Sequence, residues 1–109
     1  MSDASADLYL KLEKVVFQYT KEYPKEYKYS LGEDIRRDSV VLVRSIYRAN
    51  RAYDKSLELE SFLDDFEVLK FEIRLSKDLH LLSVGHFGEI SALMDTIGKE
   101  INGWKKAVR

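Results

Sequence analysis

Apolar residues recur at steps of three and four along most of this chain, and they do so in four blocks. Leu8, Leu12, Val15, Tyr19 and Tyr23 share one face of a helix predicted over residues 4–22. Pro24 stops it, because proline lacks an N–H and restricts the residue before it. The stretch YPKEYKYSLGE, residues 23–33, then reads as a corner over 24–29. Ser30 and Glu33 have S-x-x-E spacing, which predicts a capping box opening the second helix. Leu31, Ile35, Leu42, Ile46 and Tyr53 form its apolar stripe, which fades near Asp54. A third helix is expected from between Ser56 and Ser61 to about Leu82, and a fourth from about His86 to Val108. Phe87, Ile90, Met94, Ile97, Ile101 and Trp104 mark the inward face of the fourth. Four helices joined by short corners, with no internal repeat and no linker, predict an all-α antiparallel up-down four-helix bundle. The expectation is one domain over residues 1–109, with residues 1–4 flexible.

The third helix carries a second message. Phe62, Phe66, Leu69, Ile73 and His80 share one stripe. Val68, Phe71, Leu75, Leu79 and Leu82 form another, well round the wheel from the first. A helix with two apolar stripes buries both. Either the bundle core is wide at this helix, or the second stripe is a subunit interface and the protein is a homo-oligomer.

Composition supports helices over a turn-rich β fold: one proline and five glycines in 109 residues. With 45% apolar and 34% charged residues, the chain can form a core. It has no cysteine, which excludes disulfides, thiolate metal sites and cysteine nucleophiles. No apolar run approaches the roughly 18 residues that span a membrane. The start MSDASADL is polar and acidic, unlike a secretory signal. The expectation is a soluble cytoplasmic protein with no membrane contact.

The formal net charge of -1 hides segregation. Arg37, Arg44, Arg48, Arg51 and Lys55 follow one another at steps of seven, four, three and four. On a helical wheel they fall within roughly 60° of one another, opposite Ile35 and Ile46. Residues 36–55 hold six basic and two acidic side chains, whereas residues 56–67 hold five acidic and none basic. Lys70, Arg74 and Lys77 form a further strip, and Lys105, Lys106 and Arg109 close the chain. Such a helix face is either merely solvated or a surface for phosphates or an acidic protein partner. Guanidinium groups suit bidentate contacts to either anion.

Catalytic chemistry is not visible. His80 and His86 are six apart, not at metal-ligand spacing. Asp64 and Asp65 point about 100° apart on a helix. Glycines do not cluster into a phosphate loop, and no nucleophile–base set is specified. The expectation is no enzyme, no catalytic residue, no metal and no cofactor.

Several short motifs occur in an order that is itself informative: Tyr23-Pro24-Lys25, Leu31-Gly32-Glu33, Arg48-Ala49-Asn50-Arg51, the segment FLDDFEVLKFEIRLSKDL, Ile97-Gly98 and Gly103-Trp104. In this order the chain resembles, over residues 8 to 106, the accessory variability determinant proteins of diversity-generating retroelements. These are four-helix bundles related to the ribosomal intervening-sequence proteins. The resemblance implies a pentameric barrel of bundles and a non-catalytic accessory subunit. It also implies association with the element's reverse transcriptase, and with RNA or cDNA, in mutagenic retrohoming. On charge and placement, that role falls on Arg37, Arg44, Arg48, Arg51, Lys70, Arg74 and Lys77. The near-zero net charge favours the transcriptase over RNA as the primary partner. The other function class is a self-associating bundle with no nucleic-acid role.

Overall fold

The computed structural model describes residues 3–108, and their architecture follows from where each predicted helix stops. Helix α1 spans Asp3–Thr20, the one-turn helix α2 Lys25–Lys28, α3 Leu31–Arg51, α4 Lys55–Asp78 and α5 Val84–Ala107. No strand forms among the described residues. The expectation for residues 1–4 falls partly outside the described ones.

The four long helices pack in the ring order α1, α3, α4, α5, with α5 returning to α1. Successive helices run up and down, giving a bundle with extents of 43 × 22 × 21 Å. The core is one cluster. It takes Tyr9, Leu12 and Val16 from α1, Ile35, Leu42 and Ile46 from α3, Leu59, Phe62, Phe66, Leu69 and Ile73 from α4, and Ile90, Met94, Ile97 and Ile101 from α5. Tyr9 meets Phe62 edge-on at 5.7 Å between ring centroids, a favoured aromatic geometry.

The corner differs from the expected capping box. The Ser30 hydroxyl donates to the Glu26 carbonyl at 2.8 Å and makes no bond to the first turn of α3. The hydroxyl serves as a donor to the carbonyl of the preceding turn, α2, rather than as an acceptor for the orphan N–H groups of α3. What fixes the corner instead is close packing at Gly32, where a Cβ would lie 3.1 Å from the Tyr27 carbonyl oxygen and 3.4 Å from the Tyr23 ring. Arg36 locks it from α3, donating to the Thr20 hydroxyl at 3.1 Å and to the Lys28 carbonyl at 3.0 Å.

Other boundaries have local causes. Asp54 caps α4 by accepting from the Leu57 N–H, and Ser83 caps α5 by accepting from the His86 N–H. Helix α5 therefore begins at Val84, two residues earlier than expected. Helix α4 ends at Asp78, not near Leu82. His80 takes a left-handed φ of 60°. Its N–H bonds the Lys77 carbonyl and the Leu81 N–H bonds the Ser76 carbonyl. Those two bonds define a Schellman stop, so His80 is an exposed turn residue and not part of the inner stripe. Leu82 then enters the core from the loop. Tyr53, placed by periodicity on the inner stripe of the second helix, is fully exposed beyond its end. Trp104 is half-buried, packing on the core edge with the Lys55 ammonium 5.8 Å from its ring.

Candidate partner-binding surface

Helix α3 projects its arginines outward because Ile35, Leu42, Ile46 and Ala49 occupy the opposite, buried face. Arg37, Arg44, Arg48 and Arg51 are all exposed. They are not equivalent. Arg37 is held by Asp34 at 3.1 Å and by Asp38 at 3.7 Å. Arg44, Arg48 and Arg51 have no ion-pair partner among the described residues. Lys55 leaves the stripe: its ammonium donates to the carbonyls of Ala49 and Asn50 at 2.9 Å each, capping the end of α3.

Arg48 borders a cleft of about 480 Å³ between α3 and the start of α4, lined also by Leu57, Glu58, Glu60 and Asp64. Leu57 begins a row of exposed apolar side chains on α4 that continues through Val68 and Phe71 to Leu79 at its C-cap. On a helical wheel these four lie within a sector of about 80°. Of the second stripe read from the sequence, Val68, Phe71 and Leu79 are thus exposed, Leu75 is half-buried and Leu82 is core. The outer face of the α3–α4 pair therefore combines free guanidinium groups with uncovered apolar surface.

Lys70, Arg74 and Lys77 face elsewhere. Lys70 and Arg74 line a cleft of about 150 Å³ between α4 and α5, beside Phe87 and Asp95. Lys70 pairs with Glu67 at 3.2 Å and Arg74 with Asp78 at 3.5 Å. The Lys77 ammonium lies 4.9 Å from the Phe87 ring centroid. Of the seven basic residues singled out from the sequence, Arg48 lines one cleft and Lys70 and Arg74 another, and on α3 Arg44, Arg48 and Arg51 form the set without ion pairs among the described residues.

Beneath this face lies a buried carboxyl. Glu72 projects from α4 toward α3, and one of its oxygens has no hydrogen-bond partner among protein atoms. Burial pushes its pKa up to about 8, helped by the Asp38 carboxylate, which accepts a hydrogen bond from the protonated form, and by the charge of Asp34; Arg37 acts the other way. At the far side, the Tyr19 hydroxyl donates to Glu89 while its ring stacks on His86 at 3.7 Å, tying α1 to α5. The bond to Glu89 holds the Tyr19 phenol above its ordinary pKa.

A cavity of about 650 Å³, which sequence reasoning missed, opens between α1 and the α2–α3 corner. One signal existed: Phe17 breaks the phase of the α1 core positions, with Lys14 and Lys21 on its side of the helix. Arg36 arrives from another helix, which no local pattern reveals.

Residues 7–108 match the bAvd-like family model. The chain belongs to the bAvd-like family. The match covers nearly the whole chain and agrees with the accessory variability determinant resemblance carried by its motifs. An accessory role follows from membership in general terms. No curated protein matches the chain. In this bAvd-like protein, no group of three or more His, Cys, Asp or Glu side chains gathers to hold a metal among the described residues. No described helix is long and apolar enough to cross a membrane.

Proposed function

We propose that this bAvd-like protein is a non-catalytic accessory subunit of a diversity-generating retroelement that docks the reverse transcriptase through the outer face of α3 and α4. The observation that carries this reading is the set of three unpaired arginines on the outer face of α3, Arg44, Arg48 and Arg51, with Arg48 sharing a cleft with Leu57, the first of the exposed apolar row on α4. A mixed surface of this kind suits a protein partner, whose carboxylates meet the guanidinium groups while apolar contacts supply affinity. Template RNA is the secondary partner, held through phosphates with little base reading.

The same apolar row supports self-association. Leu57, Val68, Phe71 and Leu79 form an exposed stripe of the kind that marks an interface. The family resemblance suggests a pentamer, with α3 arginines left on its surface.

The test is a pull-down of the cognate transcriptase, and separately of template RNA, by wild type and by an Arg44→Glu, Arg48→Glu, Arg51→Glu triple variant. Loss of the transcriptase from a folded triple variant is the expected result. Retention of both partners at wild-type levels would reduce the stripe to a solvated face. Light scattering of wild type and Phe71→Glu tests the assembly: the expected change is from oligomer to monomer, and a monomeric wild type at micromolar concentration ends that part of the proposal.

A further inference from the structure

The cavity between α1 and the α2–α3 corner has no place in the docking surface just described. Its volume of about 650 Å³ falls within the range of small-ligand sites, roughly 300–1,000 Å³. Lys14 lines it from α1, Lys21 from the turn just after α1, Lys28 from α2 and Arg36 from α3, against the single carboxylate of Glu13. None of these five charged groups makes an ion pair among the described residues. Four cations facing one concave space repel one another unless an anion joins them.

The apolar part of the wall is equally specific. Phe17 is 41% exposed on an otherwise well-packed helix, and it faces this cavity. Lys14 stands one turn before it and Lys21 just past the end of α1 on the other side, so their aliphatic stems extend the apolar floor. Arg36 is preorganised: its two terminal nitrogens are already bonded to Thr20 and Lys28. The guanidinium therefore acts as a fixed positive charge in the wall, and the lysines as mobile ones.

A single carboxylate would leave most of this charge unmatched. A bare polyanion would leave Phe17 in water. We propose that the cavity binds a nucleoside polyphosphate group, its planar ring against Phe17 and the lysine stems, and its phosphates bridging Lys14, Lys21 and Lys28 with Arg36 behind. The shared chemistry is a ring beside several phosphates, presented by a free nucleotide or by a segment of single-stranded polynucleotide. Stacking on one aromatic face is tolerant of base identity, so little base preference is expected.

The test is fluorescence anisotropy with labelled ATP, using the full chain and variants whose melting curves match wild type. Saturable binding is expected, with unlabelled ATP competing and both adenosine and inorganic triphosphate competing at least about tenfold less well, since each satisfies half the wall. Lys14→Glu with Lys21→Glu should lower affinity by about tenfold or more. Phe17→Ala should weaken ATP while leaving triphosphate unchanged. The Arg44, Arg48 and Arg51 triple variant should bind ATP as wild type does, which separates this site from the docking face. A single-stranded oligonucleotide that displaces ATP at lower concentration than ATP itself identifies a strand as the source; competition by mononucleotides alone identifies the free nucleotide. The proposal is overturned by the absence of saturable ATP binding. It is equally overturned by triphosphate matching ATP with Phe17→Ala silent, or by the triple variant abolishing binding while the lysine variant does not.

Discussion

Replacing Glu72 by Gln should stabilise this protein at alkaline pH and leave it nearly unchanged at pH 5. Glu72 is only 8% exposed and one of its oxygens has no partner. Burial, Asp38 and Asp34 together hold its pKa up to about 8 against an ordinary 4.5. In the unfolded chain the carboxyl ionises near 4.3–4.5. Between those values the folded state binds the extra proton, so Glu72 makes stability fall as pH rises from about 4.5 to about 8 and then level off. At about 1.4 kcal/mol per pH unit, the full interval corresponds to roughly 5 kcal/mol. Partial solvent access and the neighbouring Arg37 guanidinium reduce that, and about 1–2 kcal/mol is the expected gain for Gln at pH 8.5. The amide mimics the neutral carboxylic acid and can still donate to Asp38. The assay is urea unfolding of both proteins at pH 5 and pH 8.5, since titration of groups remote from Glu72 cancels in the difference. A difference that is constant with pH, or a Gln variant less stable at pH 8.5, would refute the reasoning.

Three further predictions rest on local geometry. His80→Gly should raise stability by about 0.5–1 kcal/mol in denaturant unfolding, because a left-handed residue with a Cβ carries a cost that glycine lacks. Gly32→Ala should destabilise by about 1 kcal/mol despite alanine's better helix propensity, since the Tyr27 carbonyl it meets is backbone held in the corner, whereas Gly98→Ala, which meets only the Phe66 ring edge at ordinary contact distance, should be neutral or stabilising by up to about 1 kcal/mol. Trp104→Ala should lower stability by about 2 kcal/mol, less than for a fully buried tryptophan, and a loss above about 4 kcal/mol would show that the ring is more enclosed than half-buried.

The helices were legible because α3 keeps its polar and apolar residues in phase over more than five turns, and α4 keeps one inner apolar stripe in phase along its length even though its outer face is also partly apolar. Ile35, Leu42 and Ile46, and Phe62, Phe66, Leu69 and Ile73, were placed inward by spacing alone and are all core. Helix α1 was harder. Its run LYLKLEKVVFQY is apolar on several sides: of the stripe the spacing chose, Leu12, Val15 and Tyr23 are core and Leu8 and Tyr19 pack only partly buried against it, while the core residues Tyr9 and Val16 lie off that stripe. Helix ends were least legible, because they depend on competition among a few hydrogen bonds. Ser30 had two possible partners and took the Glu26 carbonyl. His80 continued the apolar period but met a Schellman stop. Among the basic residues, the pairing of Arg37, Lys70 and Arg74 with neighbours three or four positions away was implicit in the spacing. The turning-away of Lys55 to cap α3 was not.

The distribution of carboxylates bears on which partner suits which surface. Arg48 shares its cleft with Glu58, Glu60 and Asp64. A polyphosphate approaching that cleft meets two unpaired carboxylates, and a third paired with Lys105 at 3.6 Å, for the one guanidinium it could engage there, and the attraction is largely cancelled. A folded protein surface can present carboxylates to Arg44, Arg48 and Arg51 and basic groups to the acidic start of α4, and apolar side chains to Phe71 and Val68. The α3–α4 face thus favours a protein, such as the transcriptase. The cavity beside Phe17 has the opposite balance, four cations to one carboxylate, and favours a phosphate-bearing ligand. The distinction is measurable through salt. Nucleotide or strand binding at the cavity should weaken steeply between about 50 and 200 mM salt, in proportion to the phosphates engaged, whereas transcriptase docking on the mixed face should change far less. Equal salt dependence of the two would mean that one electrostatic surface serves both, and the division of labour between the two faces would fall.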